Sequence, residues 1–215
     1  MPVPNRSRSS SRPPSIEAGS RIPSVIDPAL LVRAYREGIF PMALDDGEIG
    51  WFSPDPRGII PLDDFHVPTR LARTLRRASF DIRSDTGFEA VMRACADDRE
   101  DGTWISDEIV ESYSALFRLG LAHSVEVWQK GRLVGGLYGV HLGGAFFGES
   151  MFHHVTDASK AALVALVDRL TRRGFTLLDI QWVTPHLEQF GATAIPRASY
   201  LKKLKTAVAK TCAWE

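Results

Sequence analysis

Two spacings of apolar residues alternate along the chain, one near the helical repeat and one of strict alternation, and together they predict its elements in order. After Asp27-Pro28, residues Leu30, Leu31 and Tyr35 predict a helix that closes at Gly38. A turn at Gly47 leads to a short strand around Trp51. Ser53-Pro54-Asp55-Pro56-Arg57 then reads as a rigid turn, since each proline fixes its own φ and offers no N–H to a strand. Pro68-Thr69 opens a helix that turns Leu71 and Leu75 inward. A further helix carries Phe88, Val91 and Met92 toward Cys95, and another, opened by Ser106, carries Ile109, Tyr113, Leu116 and Phe117 to Gly120. Alternation then takes over. Residues 124–129, 133–140 and 146–152 read as an antiparallel meander with turns at Lys130-Gly131 and Gly143-Gly144. Asp157, as a side-chain N-cap, and Gly174 bracket a helix with Leu163, Leu166, Val167 and Leu170 on one face, and residues 175–183 form a last strand.

Helix, helix, three strands, helix, strand is an α+β order. Residues 1–24 are rich in Ser, Pro and Arg and nearly free of apolar side chains, which predicts a disordered tail. Residues 25–84 read as a small mixed subdomain and residues 85–215 as the main domain. No internal repeat is visible.

A 44% hydrophobic and 24% charged composition fits a globular protein with a substantial core. Lys plus Arg and Asp plus Glu both total 26, so a nucleic-acid partner would need a local patch rather than overall basic charge. Arg70, Arg73, Arg76 and Arg77 on one helix are the best candidates, although a solvated helix face is the plainer account of them from the residues alone; Lys202, Lys203, Lys205 and Lys210 form a weaker cluster. Cys95 and Cys212 give neither metal spacing nor a disulfide framework, which suits a reducing cytoplasm. No apolar run reaches bilayer length, and the arginine-bearing tail lacks the apolar segment of a secretory signal. A cytoplasmic protein without membrane association is expected, with a monomer as the simplest oligomeric state.

The chemistry-bearing candidates are polar groups set in apolar runs, where they cost free energy unless paired or used. Glu149 lies in Gly148-Glu149-Ser150-Met151-Phe152, between Phe147 and Met151 on one predicted strand face. It needs a cation, either an arginine of the protein or one from a substrate. Asp179 and Gln181 share a face of the last strand two residues apart, close enough for the Gln amide to donate to the carboxylate, or simply to be hydrated at a rim. Trp104 follows Gly102-Thr103 at a loop exit, where an indole stacks on a base as readily as it packs inside. Several motifs fail. Gly148-Glu-Ser-Met-Phe lacks the second glycine of a nucleophile elbow; His153-His154 aims its rings apart; no Cys/His cluster suits a metal, and no glycine loop suits ATP or NAD.

Gly38-Ile39-Phe40-Pro41, Ser53-Pro-Asp-Pro-Arg57, Thr103-Trp104-Ile105, His123-Ser-Val-Glu-Val-Trp128, Gly148-Glu-Ser-Met-Phe152 and Asp179-Ile-Gln181 occur in one order from about Asp27 to about Leu204. In this the chain resembles the leucyl/phenylalanyl-tRNA–protein transferases. The resemblance implies a GNAT-like (acetyltransferase-like) C-terminal core, no cofactor, and transfer of Leu or Phe from aminoacyl-tRNA to proteins that begin with Arg or Lys. It implies catalytic roles for Asp179 and Gln181, an acceptor and aminoacyl site at Glu149, and a pocket for the transferred side chain at Leu137, Met151, Leu166, Leu170 and Leu178. It also implies adenine stacking on Trp104 and tRNA contacts at Arg70, Arg73, Arg76 and Arg77. The chain departs from the family pattern at Met42, where many members carry a second Trp, and a thioether there still packs against a base. Two rival readings remain. A CoA-dependent N-acetyltransferase would need a glycine-rich phosphate loop, but residues 154–160 contain no glycine and include Asp157. A non-catalytic recogniser of basic N-termini would bind acceptors without turnover.

Overall fold

The computed structural model describes residues 25–44, 46–97 and 103–215; the expected N-terminal tail lies outside them. Helix α1 spans Pro28–Arg36, with Asp27 Oδ1 accepting from Ala29 N at 2.8 Å, and a two-stranded ribbon of β1 (Phe40–Ala43) and β2 (Ile49–Phe52) follows. Strand β3 (Arg57–Ile60) comes next, then α2 (Thr69–Arg77) and β4 (Asp81–Ser84). Helices α3 (Phe88–Asp97) and α4 (Asp107–Arg118) precede the meander β5 (Ala122–Gln129), β6 (Arg132–Leu142) and β7 (Ala145–His153). The chain ends with α5 (Ala158–Arg172), β8 (Leu177–Gln181), α6 (Pro185–Glu188), β9 (Thr193–Ile195) and α7 (Arg197–Val208).

One seven-stranded sheet runs in the order β4-β5-β6-β7-β8-β3-β9, and only β7 and β8 pair in parallel. Its α+β layout keeps the predicted order of helices, meander, helix and strand. Strands β3, β4 and β9 extend the sheet beyond the predicted meander, so residues on both sides of position 84 share it.

Period-two alternation divides the core between the two sheet faces. Ile59, Tyr138, Phe147 and Leu177 face a cluster built with α1, α3, α4 and α7, while Ile60, Leu137, Phe146 and Leu178 face one built with α2 and α5. Ser106 caps α4 as predicted, its Oγ accepting from Ile109 N at 3.4 Å. Asp157 does not cap α5 through its side chain. It sits in the left-handed region at φ 67°, and its carboxylate pairs with Lys160 at 2.8 Å instead.

Candidate active site

Strands β7 and β8 pair in parallel only from Ala145 opposite Leu177 to Phe147 opposite Asp179, and then part. Irregular register on both strands marks the point of parting. Along β6–β7, Tyr138 faces Ser150 and Gly139 faces Gly148, which leaves Glu149 as an extra residue; along β3–β8, Gly58 faces Gln181 and Ile59 faces Asp179, which leaves Ile180 extra. A bulge raises local twist and re-aims side chains. Here it corrects the predicted alternation, because Phe147 belongs to one core face and Met151 packs against the other. Gly58 is required at this crossing, since a Cβ there would come within 2.7 Å of the Trp182 carbonyl carbon.

The parted strands bound a cavity of about 570 Å³. Leu137, Met151, Leu163, Leu166, Leu178 and Ile180 form its apolar wall; Phe40, Met42, Trp104 and Trp182 lie at its aromatic side; Glu149 and Gln181 provide polar groups. Among the lining residues Glu149 is the one carboxylate. Gln181 has φ 57°, which breaks strand alternation and carries its side chain toward Glu149, Nε2 donating to Oε1 at 3.4 Å. Tyr113 OH donates to Glu149 Oε2 at 3.5 Å and is itself hydrogen-bonded to Tyr35 OH.

Asp179 lies behind this surface, fully buried. Its Oδ1 accepts from Arg57 Nε and from Gln181 N, both at 2.9 Å, and its Oδ2 accepts from Arg57 Nη2 at 2.7 Å and Tyr200 OH at 2.6 Å. Arg57 also donates through Nη1 to Gly38 O at 2.9 Å, with its guanidinium over the rings of Phe40 and Tyr200 at 4.9 and 4.6 Å. A bidentate, fully hydrogen-bonded pair is the form in which buried charges are tolerated. Burial alone lowers the Arg57 pKa, but the bond and charge of Asp179 outweigh it and leave Arg57 raised. Glu149 is pushed up to about 8, first by burial and then by the nearby Asp179 charge, against the opposing effects of Tyr35, Arg57 and Tyr113. Burial, followed by the Glu149 charge, raises both Tyr35 and Tyr113 well above the usual phenol range.

Most of the predicted side chains meet here. Glu149, Gln181, Trp104, Met42, Leu137, Met151, Leu166 and Leu178 line one cavity; Leu170 lies in the core, fully buried on α5. Asp179 adjoins the site without lining it, and it bonds the Gln181 main chain, not the Gln181 amide group as expected. Arg70, Arg73, Arg76 and Arg77 are exposed on α2, whose Leu71 and Leu75 pack on the α5 side of the sheet. Among the described residues, no cluster of three or more His, Cys, Asp or Glu is placed to hold a metal ion, and no helix is long and apolar enough to cross a membrane.

Sequence reading missed Arg57, Tyr200, Tyr35 and Tyr113 as parts of this site. A signal existed for Arg57, a charge opening the run Gly58-Ile59-Ile60 and therefore needing a buried carboxylate. Tyr200, Leu204 and Ala207 likewise recur at helical spacing in a segment read only for its lysines.

A family model described as leucyl/phenylalanyl-tRNA protein transferase matches residues 59–205, and a second, for the N-terminal domain of that protein, matches residues 25–55. The leucyl/phenylalanyl-tRNA–protein transferase of Paramagnetospirillum magneticum is 59% identical over 86% of this chain and 90% of its own length. That of Herpetosiphon aurantiacus is 57% identical over 85% and 95%. Among solved structures the likeness is remote. A ribosomal-protein-alanine N-acetyltransferase from Brucella melitensis biovar Abortus 2308 aligns at 16% identity and a TM-score of 0.38 over 52% of this chain and 85% of that one, so the strand order above carries the description of the fold.

Proposed function

From a chain that belongs to the leucyl/phenylalanyl-tRNA–protein transferase family, we propose an enzyme that moves Leu or Phe from the ester of aminoacyl-tRNA to the α-amine of a protein beginning with Arg or Lys. The observation that carries this reading is the composition of the cavity between β7 and β8: an apolar wall of Leu, Met and Ile, which suits a Leu or Phe side chain, meets one carboxylate and one amide. Ester aminolysis needs no activation beyond the ester itself, so the protein's work is positioning and charge stabilisation. The transferred side chain lies against Leu137, Met151, Leu166 and Leu178, and the terminal adenine stacks on Trp104 with Met42 as the softer second surface. Glu149 receives the cationic end of the acceptor. Gln181 touches the reacting groups, and Asp179, held by Arg57 and Tyr200, is a positioning residue that fixes the Gln181 main chain. The exposed arginines of α2 meet tRNA phosphates.

Incubation of purified protein with leucyl-tRNA and an Arg-starting peptide should give a product heavier by one leucyl residue in mass spectrometry. Acetylation by acetyl-CoA without leucylation would favour the acetyltransferase reading, and peptide binding without either product would favour a recogniser.

A further inference from the structure

Attack by an amine on an ester requires the ammonium to lose a proton, and the structure narrows the groups able to receive it. A carboxylate has about four lone-pair sites. All four at Asp179 are met by donors: Arg57 Nε and Gln181 N on Oδ1, Arg57 Nη2 and Tyr200 OH on Oδ2, all within 2.9 Å. Protonating this group would displace a hydrogen bond and leave the buried Arg57 without its counter-charge. The Gln181 amide is no base. Tyr35 and Tyr113 are raised by burial and by Glu149, so they remain protonated donors. His153 and His186 also line the cavity, but His153 is exposed at the end of β7, and burial, then the charges of Lys160 and His153, lowers the His186 pKa and makes it a weaker base.

Glu149 differs on each count. It lines the cavity on a bulge, its oxygens meet only uncharged donors, Gln181 Nε2 at 3.4 Å, Tyr113 OH at 3.5 Å and the Tyr35 hydroxyl, and among the described residues no cation forms an ion pair with it. We infer that Glu149 is the proton-accepting catalytic residue of the transfer, and that the cation it receives is the acceptor's α-ammonium, not its first side chain. This rests on the transferase reading and makes its acceptor site specific.

The step balances. One ammonium proton passes to the Glu149 carboxylate, and the freed nitrogen lone pair forms the C–N bond at the ester carbonyl while the C=O π pair moves to oxygen. As that pair returns, the C–O bond to ribose breaks, and the departing ribose oxygen takes the proton from Glu149. The new amide nitrogen gives its surplus proton to Glu149, which releases it to water. The groups facing Glu149 are Tyr35 from α1, Tyr113 from α4, Asp179 from β8, Arg57 from β3 and Tyr200 from α7. Burial and these neighbours together raise the carboxyl to about 8, well above an ordinary glutamate and toward the range of an α-amine.

The test compares wild type and Glu149→Gln in single turnovers, with saturating leucyl-tRNA and two Arg-like peptides. One peptide carries an ordinary α-amine, and the other an aminooxy nitrogen that is already unprotonated at neutral pH. Glu149→Gln should slow the amine acceptor by roughly 10²–10⁴-fold, the range of a lost general base, and the aminooxy acceptor by less than about 10-fold. The wild-type pH profile with the amine should lose its enzyme-borne bend in the variant. Equal losses on both acceptors, in a variant that stays folded and binds the donor as wild type does, would overturn the proton role, as would a loss confined to Arg- and Lys-starting peptides over neutral ones. A wild type inactive on both acceptors would instead sink the transferase reading.

Discussion

A carboxyl group at Glu149 is kept where water hardly reaches, and this has a consequence for stability separate from catalysis. Between the ordinary Glu pKa of about 4.3 and the folded value of about 8, the folded protein holds a proton that the unfolded chain has released. The unfolded state thus binds fewer protons, and stability falls as pH rises through that window before levelling above it. Glu149→Gln removes the effect. Melting temperatures should show the variant gaining on wild type from about pH 5 to about pH 8, by an amount on the order of a few kcal/mol across the window. A constant difference over that range would mean the carboxyl keeps an ordinary pKa. At this scale Glu149 was legible, because an acid inside Phe146-Phe147-Gly148-Glu149-Ser150-Met151 breaks an apolar run. The partner of Asp179 was not, since Arg57 lies 122 residues away and spacing along a chain reports only on neighbours.

Elements with a long, clean period were the legible ones. Helices α3 and α4 each present one buried face, and the strands of the meander β5–β7 send residues into both core layers, so their residues repeat accordingly. Strand β3 has four residues, all buried, so it shows no alternation; β4 is an edge strand with three exposed residues of four, and β9 has only three residues. The bulge at Glu149 and the positive φ at Gln181 reverse which way side chains point, and neither has a signature in residue type. Helix α2 is the element whose exposed face gives the clearest expectation. Arg70, Arg73, Arg76 and Arg77 are solvent-facing on the side of the sheet that α5 covers, and α5 also supplies part of the cavity wall. Reversing these four to Glu should weaken tRNA binding and flatten its dependence on salt, while a minimal adenosine ester donor reacts almost as before. An equal loss with the minimal donor would place the damage in the fold, not in phosphate contacts.

At the scale of the whole molecule, the chain's last residues close the core on the α5 side. Trp214 is 5% exposed, its ring stacked on His123 at 4.3 Å, with Arg169 4.7 Å from its centroid and its Nε1 donating to Ser84 Oγ at 3.2 Å. It joins β4, β5 and α5, which its position in the sequence did not reveal. Trp214→Ala should cost about 3–5 kcal/mol, lowering the melting temperature by roughly 6–20 °C, with activity per folded molecule retained at low temperature. A shift under about 2 °C would show the segment to be dispensable.

The guanidinium of Arg57 draws together segments from almost the full length of the fold: Gly38 and Phe40 ahead of it, Asp179 and Tyr200 far behind. Closing loops of that length is entropically costly, and contacts across them form only when the intervening chain has condensed. Helices and hairpins of the meander rest on local contacts and need none of these distant ones. The geometry around Gln181 therefore depends on residues as far apart as Gly38 and Tyr200, and a chain lacking its last helix would lack the hydroxyl that helps hold Asp179.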